Sequence, residues 1–177
     1  DQRSQAKAIN FGIIYGMGPQ RLARETGVKT KDAKEFIEKY FSSYPKIREY
    51  IDSSIEYARK HEYSMTLTGR KRPLRGINEA SGLQLSNLQN MAVNSPVQGT
   101  ASDLIKLAMI NIHEQLEQRN LRLEMLVQVH DELIFECHVD DLAESTKFIK
   151  ECMETAMELS VPLKVEVGSG KDWLEAH

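Results

Sequence analysis

The segment Leu126-Val127-Gln128-Val129-His130-Asp131-Glu132-Leu133-Ile134-Phe135-Glu136 sets a His-Asp-Glu triplet between two apolar, β-prone runs. Runs of that composition read as strands, and the polar triplet between them as a tight turn or a strand crossing. An acidic pair at the tip of a buried hairpin costs solvation free energy unless a cation or a donor compensates it. Asp131 and Glu132 are therefore candidates for a metal site. A surface hairpin with an acidic turn has the same composition, so these residues alone leave both readings open.

Downstream of the hairpin, Asp140 to Leu159 carries Leu142, Ala143, Phe148, Ile149, Met153 and Met157 in amphipathic helical register, with Asp140 and Asp141 near its positive end. Leu163 to Val167 reads as a final strand. Gly168-Ser169-Gly170 is too short for a phosphate loop and lacks the following helix, so it reads as a turn. On the upstream side, Leu121–Val129 pairs with Leu133–Cys137. Before it a long helix runs from Leu88 to about Gln118, with Met91, Leu104, Ile105, Leu107, Ala108, Ile112 and Leu116 in register. Pro96 and Gly99 interrupt it near its start, and residues 77–90 read as a polar loop leading into it.

Asn94 and Gln98 stand one turn apart on that helix, so their amides can share a face. Amides that donate and accept suit minor-groove base edges, and they suit water equally well. Further upstream, Tyr63 to Thr68 alternates as a strand, and Gly69-Arg70-Lys71-Arg72-Pro73 turns it back. Arg70, Lys71, Arg72 and Arg75 form the densest positive patch in the chain, either a phosphate-binding hairpin tip or a solvated turn.

The first 62 residues read as helices. Asp1 to Gly16 has Ala6, Ile9, Ile13 and Ile14 on one side, while Arg3, Lys7, Phe11 and Tyr15 recur every fourth residue. Such a row drifts only about 40° per step, so one face runs from two cations to two aromatic rings. Cations suit a triphosphate and rings a sugar and a base; a solvated cationic edge beside core aromatics has the same pattern. Gly12 inside the helix implies a close approach to its backbone. Short packing helices follow: about Pro19–Glu25, then Thr30 (as N-cap) to Ser42 with Ala33, Phe36, Ile37 and Tyr40 inward, then Lys46 to about His61 with Ile47, Tyr50, Ile51, Ile55 and Ala58 inward.

With 177 residues, 41% of them hydrophobic and 28% charged, the chain is long enough for one domain or slightly more. Apolar runs fall short of the roughly 20 residues of a membrane span, and no signal-peptide pattern opens the chain. Cys137 and Cys152 lack metal-like spacing, which fits reduced thiols in a cytoplasmic compartment. The net charge of −3 hides an asymmetry: residues 1–76 carry 16 Lys and Arg against 9 Asp and Glu, and residues 77–177 carry 7 against 17. A basic half beside an acidic half suits a protein that holds a polyanion on one surface and cations on another.

Taken together these blocks resemble one family. Arg3-x3-Lys7-x3-Phe11-Gly12-x2-Tyr15-Gly16 is similar to the fingers-helix motif of family A DNA polymerases, the bacterial DNA polymerase I type. Thr66-Leu67-x-Gly69-Arg70-x-Arg72 and Asn94-x-Pro96-Val97-Gln98-Gly99-Thr100-Ala101-x-Asp103 resemble two further blocks of it. Gln128-Val129-His130-Asp131-Glu132 resembles its palm catalytic motif, and Val165-Glu166-Val167-Gly168 with Asp172-Trp173 its ending. The resemblance runs from the first residue to the last, in the family's order.

It implies an α+β fold: a polymerase palm with an antiparallel sheet and packing helices, plus a partial helical fingers subdomain. Residues 1–62 would be the fingers remnant and 63–177 the palm portion. It implies that Arg3 and Lys7 bind the phosphates of an incoming deoxynucleoside triphosphate (dNTP), with Lys7 a candidate proton donor to the leaving pyrophosphate. Phe11 would lie against the sugar, Phe rather than Tyr implying discrimination against dideoxynucleotides, and Tyr15 would stack at the nascent base pair. Arg70, Arg72, Asn94, Gln98 and His130 would contact primer–template DNA. Asp131 would ligate the catalytic Mg2+, with Glu132 close by. In-line phosphoryl transfer by two metals depends on positioning and charge neutralisation.

The chain departs from the family's pattern in two places. The second metal carboxylate of the family lies in an Asp-Tyr-Ser-x-x-Glu motif upstream of the fingers helix, absent here, so the chain alone is expected to be inactive and to need the upstream part of the same polymerase. Gln89-Asn90 stands where the family usually has Glu-Arg. The alternative in a different class is a non-catalytic primer–template or nucleotide binder, or one half of a split polymerase. A metal hydrolase reusing the His-Asp-Glu tip would need a second ligand cluster.

Overall fold

The computed structural model describes residues 2–176, apart from the side chains of residues 2–5, 7 and 8. Contacts divide the chain into two compact units, 1–99 and 100–177.

The first unit opens with four helices: α1 Gln2–Ile14, α2 Pro19–Thr26, α3 Thr30–Ser43 and α4 Pro45–His61. Pro19 and Pro45 start their helices at the first position, where a missing N–H is harmless. Gly27, at φ 76, ends α2 by returning its N–H to the carbonyl of Ala23. Lys29, rather than Thr30, occupies the N-cap of α3, and no side chain caps it. Ile13, Met17, Leu22, Ala23 and Ala33 form a core against which Ile9, Ile37, Tyr40 and Phe41 pack. Phe36, expected inward, is half exposed; Ile37 and Tyr40 take the inner face of that turn instead. The close approach implied by Gly12 is made by Met17, whose side chain lies where a Cβ would be.

A short hairpin follows, with β1 Tyr63–Met65 antiparallel to β2 Lys71–Pro73. The strand expected to reach Thr68 ends at Met65, because the chain turns earlier. The N–H of Thr66 donates to the Arg70 carbonyl, that of Gly69 to the Thr66 carbonyl, and that of Arg70 to the Thr66 hydroxyl. Leu74 and Ile77 close a second core with Ala58 and Ala92.

Helix α5, Gly82–Leu116, is longer than its periodicity implied and passes through Pro96 and Gly99 without a break. Proline deprives the Ala92 carbonyl of its helical donor and disturbs the next one. The Val93 carbonyl accepts the Tyr50 hydroxyl at 2.7 Å, which compensates the locally loosened ladder. Burial raises the Tyr50 phenol above its ordinary pKa.

In the second unit, β3 Leu123–Val129 pairs antiparallel with β4 Glu132–Cys137. Opposite partners are Leu123 and Cys137, Met125 and Phe135, then Val127 and Ile134, leaving Leu126 as the extra residue of a bulge. One face of the hairpin packs Leu123, Met125, Leu133, Phe135 and Cys137 onto Ile105, Ala108 and Ile112 of α5 and onto Phe148, Ile149, Cys152 and Met153. The last four lie on α6, Leu142–Glu154. Helix α6 ends before Leu159, with the Thr155 hydroxyl and N–H both on the Glu151 carbonyl.

Leu163–Val167, read as a strand, joins no described ladder. The Val165 N–H instead donates to the Glu154 carboxylate while Val165 packs on the core. The last helix, α7 Trp173–Ala176, folds back on Gly168 and Gly170, where any Cβ would meet Ala176 and Glu175.

The open end of the hairpin is clamped electrostatically. The Arg122 Nε and Nη2 donate to both oxygens of Asp141, Nη2 reaches Asp140, and the Arg122 N–H also donates to Asp141. These bonds hold the Asp141 carboxyl at about 2, against an ordinary 3.8. A depressed aspartate adds stability that is fully present above pH 4 and lost as pH falls towards 2. The expected result is a melting-temperature gap between the parent chain and Asp141→Asn that is open at pH 6 and closed near pH 2. A gap independent of pH across that window would assign the clamp to packing rather than charge.

Candidate nucleotide and metal site

Hairpin geometry decides where the acidic triplet sits. Val129 faces Glu132 across the ladder, so His130 and Asp131 alone form the connection. His130 has φ 50, whereas Asp131 keeps a negative φ. Asp131 is exposed at the tip, Glu132 is half buried as the first residue of β4, and His130 is exposed. The tip is therefore solvated, and the desolvation argument for a cation there does not hold. What remains is donor chemistry: carboxylates suit hard divalent cations, and Mg2+ commonly takes only one or two of them beside water and phosphate oxygens. Among the described residues no group of three or more His, Cys, Asp and Glu is placed to hold a metal ion.

Gln128 stands in the sequence as a member of the palm-motif block, with no role of its own. Its Nε2 donates to the His130 carbonyl at 2.6 Å, tying the strand to its own turn. A side-chain bond to a backbone oxygen two residues on leaves no periodic trace.

In the first unit, Phe11 on α1 and Tyr15, one residue past its end, lie nearly parallel, ring centroids 6.2 Å apart with 16° between their planes. Phe11 is 46% exposed, so one aromatic surface is open to a ligand. Arg3 and Lys7 share the helix, but their side chains lie outside the described residues. Gly16, at φ 90, ends this face with Asn90 where a Cβ would be.

The basic hairpin is less free than its composition implied. The Arg70 Nη2 donates to the Gly99 carbonyl at 3.0 Å, and the Arg72 Nη1 to the Ser95 hydroxyl at 3.1 Å, so both guanidinium groups dock on α5. A Cβ at Gly99 would collide with Thr66, which is why glycine is needed where the hairpin meets the helix. Lys71 Nζ sits 4.6 Å from the centre of the Tyr63 ring. A guanidinium has five donors and Arg72 is exposed, so its docking leaves donors for phosphate. Asn94 and Gln98 do occupy successive turns of α5. Gln98 is exposed, whereas the Asn94 Oδ1 is buried without a hydrogen-bond partner. An orphaned buried acceptor costs roughly 1–3 kcal/mol until a donor arrives.

A family model described as DNA polymerase family A matches residues 1–175. The chain is 42% identical over 175 residues to DNA polymerase I of Caldicellulosiruptor bescii, covering 99% of this chain and 21% of that protein. It is 45% identical over 181 aligned positions to the thermostable DNA polymerase I of Thermus filiformis, covering 98% of this chain and 21% of that one. The chain thus spans about a fifth of the curated relatives it matches. Among solved structures, the POL domain of Pol1 from M. smegmatis, in complex with DNA primer-template and dNTP, superposes with a TM-score of 0.94 at 36% identity, covering 98% of this chain and 31% of that one.

Proposed function

The chain belongs to DNA polymerase family A, and from that premise we propose that it is the C-terminal part of a template-directed DNA polymerase, with residues 1–62 serving as fingers and 63–177 as palm. Within the longer enzyme it adds deoxynucleotides to a primer 3′ end. The observation that carries this reading is the exposed Asp131 at the tip of a two-residue hairpin turn. An exposed carboxylate there has the oxygen-ligand chemistry that hard divalent cations require.

Bound Mg2+ would neutralise developing phosphate charge and lower the pKa of the attacking hydroxyl. Asp131 would hold it, with Glu132 alongside. Arg3 and Lys7 bind the triphosphate, and Lys7 gives a proton to the departing pyrophosphate. Phe11 packs on the sugar and disfavours dideoxynucleotides, and Tyr15 stacks beside the nascent pair. The unpartnered Asn94 Oδ1 accepts from a base edge or its bound water. Gln98 and His130 contact the strands near the primer end.

Arg70 and Arg72 supply phosphate contacts from a hairpin already docked on α5. Each phosphate neutralised contributes about 0.9 to the slope of log K against log salt. Primer–template titrations of the 177-residue chain at several salt concentrations test this. Arg70→Gln and Arg72→Gln should each weaken binding and lower the slope by about 0.9. A slope unchanged in both, with circular dichroism also unchanged, would sink the phosphate role.

A further inference from the structure

We propose that Gln128 is a positioning residue for Asp131, holding the His130-Asp131 turn in its left-handed form through the His130 carbonyl. The proposal rests on the polymerase reading of Asp131.

At φ 50, His130 is in a conformation that crowds any residue bearing a Cβ. A two-residue hairpin connection that is left-handed at its first position alone normally takes glycine there. Histidine in that position leaves the turn in need of an external tie. Gln128 provides one, Nε2 to carbonyl oxygen, at 2.6 Å.

The bulge at Leu126 explains why glutamine is the residue at hand. Before it Met125 faces Phe135, and after it Val127 faces Ile134, so the in–out alternation slips by one. Gln128 consequently stands opposite Leu133, on the same side of the ladder as Phe135 and Cys137 but one step from the tip. The core there ends with Leu133, and Gln128 is exposed, so a polar side chain suits the position.

The bonded carbonyl belongs to the peptide group that joins His130 to Asp131. That group is planar, so fixing its oxygen fixes its N–H and the direction in which Asp131 leaves the turn. Without the tie, the peptide is free to rotate into a right-handed form that histidine prefers, and the carboxylate swings with it.

The experiment has two arms. In the 177-residue chain, with neither metal nor DNA, Gln128→Leu and Gln128→Glu should both change the three-bond HN–Hα coupling of His130, which reports its φ, leaving amide exchange at Met125 and Phe135 unchanged. Glutamate keeps size and polarity but has no donor, so it should behave like leucine. In the full-length polymerase, the same variants should lower single-nucleotide incorporation by about tenfold, well within the roughly hundredfold cost of a 1 Å misplacement. Gln128→Leu, which adds no charge at the tip, should also raise the half-saturating Mn2+ concentration while leaving primer–template affinity unchanged. A parental His130 coupling in both variants would overturn the proposal. A changed coupling with parental incorporation and Mn2+ binding would reduce the bond to a purely structural one and overturn the positioning role. An Asp131→Asn control that remains fully active would instead remove the polymerase reading on which the proposal rests.

Discussion

Replacing Asp131 by Asn in the polymerase that carries this chain should lower primer extension at least about a thousandfold, with primer–template affinity close to parental. A loss of three decades corresponds to roughly 4 kcal/mol of transition-state stabilisation. That is the scale expected when one charged ligand is removed from a site that stabilises phosphoryl transfer. Its position makes the result interpretable. Asp131 is exposed in a two-residue turn, outside the packed face of the hairpin, so an isosteric amide removes charge without opening a cavity. Glu132 differs, because it sits in the ladder opposite Val129 and is half buried. Glu132→Gln should therefore cost less activity than Asp131→Asn. Single-turnover incorporation at saturating dNTP and Mg2+ measures both. An Asp131→Asn enzyme retaining a tenth of parental rate would take Asp131 out of the chemistry.

The hairpin was legible because β-branched runs on both sides of a polar triplet leave few other conformations. The bulge was not, since one added leucine within an apolar run changes no composition signal. The final strand failed for a related reason: β propensity at Leu163–Val167 says nothing about a neighbour to bond with, and the Glu154 carboxylate takes the Val165 N–H instead. Pro96 and Gly99 misled in the opposite direction. The bonds that accommodate them, Tyr50 to the Val93 carbonyl and Arg70 to the Gly99 carbonyl, come from residues 43 and 29 positions away. Phe11 and Tyr15 could be placed on one face from spacing alone, because four residues return nearly to the same side of a helix. Asp131 could be singled out by motif, but the solvated state of its turn could not, because exposure depends on which face of the ladder the core occupies.

The purified 177-residue chain should show no primer extension above background under conditions where the full-length polymerase extends fully, and adding the remainder in trans should restore it. Two-metal transfer requires carboxylates that face the same pair of ions. Here the two acidic residues nearest the tip differ in setting: Asp131 is exposed in the turn and Glu132 is half buried in the ladder opposite Val129. Among the described residues no third ligand joins them. The relatives, about five times longer than the aligned segment, leave ample sequence for another carboxylate. Loss of chemistry need not mean loss of binding: the stacked rings of Phe11 and Tyr15, the docked arginines and the orphaned Asn94 oxygen all belong to this chain. Primer–template affinity retained beside absent synthesis, then rescued by the missing piece, identifies the chain as a competent half of a divided site. Affinity retained without any rescue favours the binding-module alternative. Robust Mg2+-dependent synthesis by the purified chain would mean that its own carboxylates suffice, and the divided-site account would have to be abandoned.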